Sequence, residues 1–131
     1  MTAAVSARPK VRAFPGSRDQ VRQARDFVRR AIAGFPGADD VLLLTSELVT
    51  NAVVHTASGA GGMFAVTVWR DQDWARIAVR DGGSVTAPVV RPVNEPEESG
   101  FGLGLVAMLA DRWGHDGDAH GRVVWFEMRA G

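Results

Sequence analysis

Ser46-Glu47-Leu48-Val49-Thr50-Asn51-Ala52-Val53-Val54-His55 is the stretch that decides the fold. It lies in a longer run, from Asp39-Asp40 to about Thr56, that is apolar almost all round: Val41, Leu42, Leu43, Leu44, Leu48, Val49, Ala52, Val53 and Val54. A helix of this kind has to be buried. The two acids at its head suit a first turn, where they face the positive end of the helix dipole. Glu47, Asn51 and His55 recur every fourth residue and so form one polar stripe along the helix. An ionised carboxylate in that setting must be paired, hydrogen-bonded or bound to a metal. A carboxylate and an amide oxygen are also hard donors of the kind Mg²⁺ takes beside phosphate oxygens and water. The stripe therefore reads in two ways. Asn51 is a metal ligand with Glu47 as general base beside it, or both are buried polar groups that cap neighbouring loops. His55 taken alone reads as structural.

Upstream, Val11–Phe14 is expected to be a short strand ended by Pro15-Gly16. Ser17 is expected to start a helix, with Gln20 as its capping-box partner. Val21, Ala24, Phe27, Val28, Ala31, Ile32 and Phe35 follow helical steps, arginines fill the other side, and Gly34 and Pro36 stop the run. Downstream, Ser58–Gly62 reads as a loop. Phe64–Arg70 and Trp74–Asp81 alternate like the strands of a hairpin around Asp71-Gln72-Asp73. Gly82–Ser99, with Pro88, Pro92 and Pro96, has neither helical nor strand period, as a functional lid would. A third helix is expected from about Leu103 to Trp113, then a turn-rich stretch Gly114–Gly121 and a last strand Arg122–Met128.

The chain has 131 residues, 46% of them hydrophobic and 23% charged, which fits one globular domain rather than a disordered chain. Residues 1–9 read as a loose tail and 10–131 as the domain. No cysteine is present, so disulfide and thiolate-metal chemistry are excluded and a reducing, cytoplasmic setting is the economical reading. No apolar run reaches the roughly 20 residues a membrane helix needs, and Met1–Pro9 has no apolar core of a secretory signal. Fifteen basic residues balance fifteen acidic ones, so no overall field favours nucleic acid. The arginines of the first helix read as a solvated face.

Two further segments carry chemistry. Asp81 shares strand phase with Ala75, Ile77 and Val79, and two glycines follow it. A carboxylate at the floor of an apolar pocket is suited to accept from an exocyclic amine. From the segment alone, an Asp-Gly turn is the simpler account. Ser99-Gly100-Phe101-Gly102-Leu103-Gly104-Leu105 puts three glycines at a helix start, where bare N–H groups can bind an anion, although a hinge has the same composition. A P-loop is excluded, because Lys10 is the only lysine and no G-x-x-x-x-G-K-[ST] occurs. A dinucleotide fingerprint is excluded too, because the glycines follow two helices and a hairpin rather than the first strand. A metal pair of His115 and His120 is the weakest of the site readings.

E-L-V-T-N-A-V-V-H (47–55), V-R-D-G-G (79–83) and G-F-G-L-G-L (100–105), in that order, resemble the GHKL, or Bergerat-fold, ATPases. The branch most resembled is that of bacterial anti-sigma-factor serine kinases and their stand-alone ATP-binding relatives. The likeness spans nearly the whole chain. It implies an α+β two-layer sandwich, with a mixed, mostly antiparallel sheet covered by helices on one face. It implies Glu47 as general base and Asn51 as Mg²⁺ ligand. Asp81 would bind the adenine amine and Gly83 would shape its pocket, while Gly100, Phe101, Gly102, Leu103 and Gly104 would form the phosphate turn. ATP and Mg²⁺ are the implied cofactors. The implied partners are a sigma factor, an antagonist protein, or both, with a homodimer as a further expectation.

Three departures accompany the likeness. Phe101 stands where that branch commonly has arginine, the last glycine of D-x-G-x-G is Val85, and no lysine is placed to reach a terminal phosphate. A nucleotide-gated binding module without catalysis is therefore the alternative to a protein serine kinase. A histidine-kinase catalytic domain acting in trans is a third.

Overall fold

Alternation of apolar residues sets the sheet, and each strand's inward phase ends up under the helices. The computed structural model describes residues 8–55, 62–82, 103–117 and 121–130. In chain order the elements are β1 (Lys10–Pro15), α1 (Gln20–Ala31), α2 (Ala38–His55), β2 (Met63–Arg70), β3 (Trp74–Asp81), α3 (Gly104–Leu109), β4 (Arg112–Gly117) and β5 (Arg122–Arg129). The strands form one sheet in the order β1-β2-β3-β5-β4. All four pairings are antiparallel. The two-layer α+β sandwich with a mostly antiparallel sheet is thus present, without a parallel pair among the described residues.

The hairpin closes where its turn chemistry requires. The Asp71 carboxylate accepts from the backbone N–H of Asp73 (2.7 Å) and Trp74 (2.9 Å). Asp71 N–H donates to the Trp74 carbonyl at 2.9 Å. Register follows, with Arg70 opposite Ala75 and Val66 opposite Val79. Period-2 alternation then sends Phe64, Val66, Val68, Ala75, Ile77, Val79, Val124 and Phe126 to one buried face. The α1 and α2 residues Ala24, Val28, Val41, Leu44, Leu48 and Val49 are buried with them in a single core. Phe14 and Phe64 stack across β1 and β2 with centroids 5.3 Å apart, and Phe27 of α1 meets Phe14 edge-on at 6.0 Å. Removing either buried ring, Phe14 or Phe64, costs about 3–5 kcal/mol.

The other face of the sheet carries a polar-aromatic ladder instead of helices. The Arg76 guanidinium lies 4.1 Å from the Trp125 ring centroid and 5.6 Å from that of Trp69. Arg76 Nη1 also donates to Glu127 at 3.1 Å, and Arg112 pairs with the same carboxylate at 3.5 Å. Cation–π and ionic contacts of this type tie β3, β5 and β4 together on a face that none of the described helices covers.

Four local expectations are corrected. The first helix begins at Gln20 rather than Ser17: Ser17 donates its hydroxyl to the Asp19 carboxylate, and the Asp19 cap position makes no side-chain cap bond, so the capping box does not form. That helix ends at Ala31 rather than reaching Phe35. The third helix stops at Leu109, because Ala110 is extended (φ −76°, ψ 145°). From Arg112 to Gly117 the chain is then a strand, where the end of the third helix and the start of the turn-rich Gly114–Gly121 were expected. It pairs with the edge of β5, with Trp113 opposite Phe126 and Gly114 opposite Trp125.

Candidate functional site

Helix α2 carries several polar side chains, and local bonding separates them. Thr45 Oγ1 donates to the Val41 carbonyl at 2.8 Å and Ser46 Oγ to that of Leu42 at 3.1 Å. Both hydroxyls are therefore absorbed by the helix's own backbone. Glu47 and Asn51 lie one turn apart on a stripe that starts at solvent and runs inward. Leu43, a turn before Glu47, is 41% exposed, Glu47 is half-buried, and Asn51 is 4% exposed. Burial pushes the Glu47 carboxyl above its ordinary value, because the ionised form loses water. A carboxylate made more basic in this way is better matched to taking a proton near neutral pH. His55 closes the helix.

Asp81 is the last residue of β3 and points with Ile77 and Val79 into the core face. Opposite it in the ladder stands Arg122, the first residue of β5, and their charged ends are 3.5 Å apart with side chains 1% and 6% exposed. Sequence reading placed Arg122 only at a strand start and gave it no role. The signal was available, since Arg122 is in phase with Val124, Phe126 and Met128, so that a charge was bound to share their buried face.

Helix α2 packs on β3, β5 and α3. Glu47 and Asn51, Asp81, and the start of α3 are thus carried on elements in direct contact. Leu103 is fully buried just before α3, and Gly104 is its first residue. Gly83, Gly100, Phe101, Gly102 and His120, with the side chain of His55, lie outside the described residues. His115 is exposed on β4, and among the described residues no three His, Cys, Asp or Glu side chains gather as a metal cluster. Asn51 and Glu47 fit a Mg²⁺ ion that arrives with phosphates, because such an ion needs only one or two protein oxygens. A separate cleft of about 440 Å³ opens between α1 and α2, lined by Arg25, Arg29, Asp39, Leu42, Leu43 and Ser46. Through Leu43 it borders the outer end of the Glu47 stripe.

A helix with an inward polar stripe is thus laid over an antiparallel sheet with a buried acid at a strand end, in a two-layer α+β sandwich. The chain matches the histidine kinase-like ATPase domain over residues 14–128 and belongs to that family, within the GHKL ATPases. No curated protein matches it. Membership makes it an ATP-binding domain of a regulatory kind. Among the described residues no helix is long and apolar enough to cross a membrane.

Proposed function

We propose that this protein is a Mg²⁺-dependent serine/threonine protein kinase of the anti-sigma-factor type, acting in the cytoplasm on an antagonist protein. The observation that carries it is the half-buried Glu47, its carboxyl raised by desolvation, one turn from the buried Asn51 amide. Glu47 accepts the hydroxyl proton of the substrate serine. The serine oxygen bonds to the γ-phosphorus of ATP while the bond to the β-phosphate oxygen breaks, and ADP leaves. Asn51 would offer its amide oxygen to Mg²⁺, which when bound would neutralise charge on the phosphates. Asp81 accepts from the adenine amine, Gly83 shapes the base pocket, and Gly100, Phe101, Gly102, Leu103 and Gly104 surround the phosphates. The α1–α2 cleft at Leu43 gives the partner protein a place from which to present its serine beside Glu47.

Phe101, where an arginine commonly stands, supports a second reading, a nucleotide-gated binding module without transfer. Incubation with γ-labelled ATP and the cognate antagonist separates the two. Label on a serine of the antagonist, lost in Glu47→Gln, supports the kinase. Partner affinity that differs between ATP and ADP, with no label, supports the module.

A further inference from the structure

Helix α1 carries four arginines against a single acid, Asp26, so its surface is basic although the chain as a whole is neutral. Arg22, Arg25 and Arg29 recur at steps of three and four and form one row along it. Arg29 ion-pairs with Asp26 where both side chains meet water, a contact that holds little energy and exchanges readily. Arg25 is different. It is half-buried, it has no ion pair among the described residues, and its Nε is shut off from water without a hydrogen-bond partner.

Arg25 and Arg29 form the α1 side of the cleft of about 440 Å³, and α2 forms the other side with Asp39, Leu42, Leu43 and Ser46. The Ser46 hydroxyl is already committed to the Leu42 carbonyl. Leu43, 41% exposed, is the one large apolar side chain that α2 leaves open to water among the described residues. The cleft therefore has arginines on one wall and leucines on the other, with Asp39 in the first turn of α2. A carboxylate suits the first wall, because the donors of a guanidinium form a fork that matches it. A bulky apolar side chain suits the second, where it takes Leu43 out of water. A phosphate backbone would satisfy only the arginines and would face Asp39. Both walls together call for an acidic, partly apolar stretch of polypeptide.

We propose that the α1–α2 cleft is a docking groove for an acidic segment of the partner protein, in which a carboxylate meets Arg25 and Arg29 and a neighbouring bulky apolar side chain covers Leu43. The position of that segment relative to a reacting serine rests on the kinase function proposed above. Leu43 is one helical turn from Glu47, about 6 Å along α2, and an extended chain covers that distance in about two residues. The apolar side chain is then about two residues from the serine, with the carboxylate beside it.

Fluorescence anisotropy of the full chain with labelled synthetic peptides tests this. The probe carries a serine, a leucine two residues away and glutamates flanking the leucine, and is made in both chain directions. In one control lysines replace the glutamates, and in another glycine replaces the leucine. The probe in its better direction is expected to bind about tenfold or more tighter than either control. Arg25→Gln and Leu43→Ser, each checked for a cooperative melt, are each expected to weaken it about tenfold and to leave ATP affinity unchanged. Equal affinity for the glutamate and lysine peptides, or no loss in either folded variant, overturns the inference, whatever the ATP titration shows. A chain that selects the acidic peptide but transfers no phosphate to its serine upholds the groove and overturns the kinase reading instead. Light scattering covers the remaining occupant. A dimer that falls to monomers in Arg25→Gln and ignores all the peptides has a second copy in the groove, which also overturns the inference.

Discussion

Asp81 ends β3 directly opposite Arg122 at the start of β5, and their charged ends meet 3.5 Å apart with almost no exposure to water. Removing either one takes a close ion-pair partner from a charge that stays buried. Asp81→Leu is expected to destabilise the protein by about 3–5 kcal/mol, whereas adding Arg122→Met to it recovers most of that loss. Urea unfolding of the four proteins of the cycle measures it. Independent, additive losses would contradict the pairing.

In the proposed site Asn51 and Asp81 would serve opposite ends of the nucleotide. Asn51→Ala is expected to weaken ATP binding about tenfold or more, about 1.4 kcal/mol, and to abolish its dependence on Mg²⁺. Asp81→Asn is expected to weaken ATP similarly while the Mg²⁺ dependence survives. Titrations with and without the metal distinguish these patterns. If neither variant differs from the native chain, the residues do not form the site.

Glu47 carries a cost that depends on pH. Its folded-state carboxyl titrates above the ordinary value of 4.5 because burial disfavours the ion. Between those two values the folded state holds more protons than the unfolded one, so stability falls as pH rises through the window and is level above it. Glu47→Gln removes the buried charge. Its melting temperature is expected to exceed the native one at pH 7, with the difference fading as pH falls through 4.5. A difference that grows on acidification would give Glu47 the opposite environment. The same variant is expected to lose phosphoryl transfer and to keep ATP binding.

On the open face, Gly114 lies flat beneath Trp125. A Cβ there would sit 2.9 Å from Cζ2 and 3.0 Å from Cε2 of the indole, which Arg76 covers from 4.1 Å. Gly114→Ala is expected to cost about 1–3 kcal/mol through displacement of the ring. ATP affinity should not change, because the indole faces away from α2. Thermal melts paired with a titration check both halves.

Local patterns were sufficient wherever the signal lay within one element. The α2 stripe, the Asp71 turn with its two strands, and the inward phase of β3 all follow from spacing and turn chemistry, because helix and strand periods are properties of consecutive residues. The order of motifs around Glu47, Asn51 and Asp81 pointed to the GHKL ATPases, and the family match over residues 14–128 agrees. Arg112–Gly117 was not readable in that way. Leu105, Val106, Leu109, Ala110 and Trp113 continue a helical period on paper, and nothing in R-W-G-H-D-G alternates. The strand exists because the edge of β5 offers unpaired backbone groups to a segment far away in energy terms from any local preference. The same holds for Arg122. Its phase was written in the sequence, but its partner was not, because Asp81 lies about 40 residues earlier and only the β3–β5 register sets the two opposite each other. Sequence alone determined most of the elements and the resemblance to the family, and it named the candidate acids. Tertiary structure decided which edge strand forms and which charges meet, since both depend on pairings between residues that are distant in the chain.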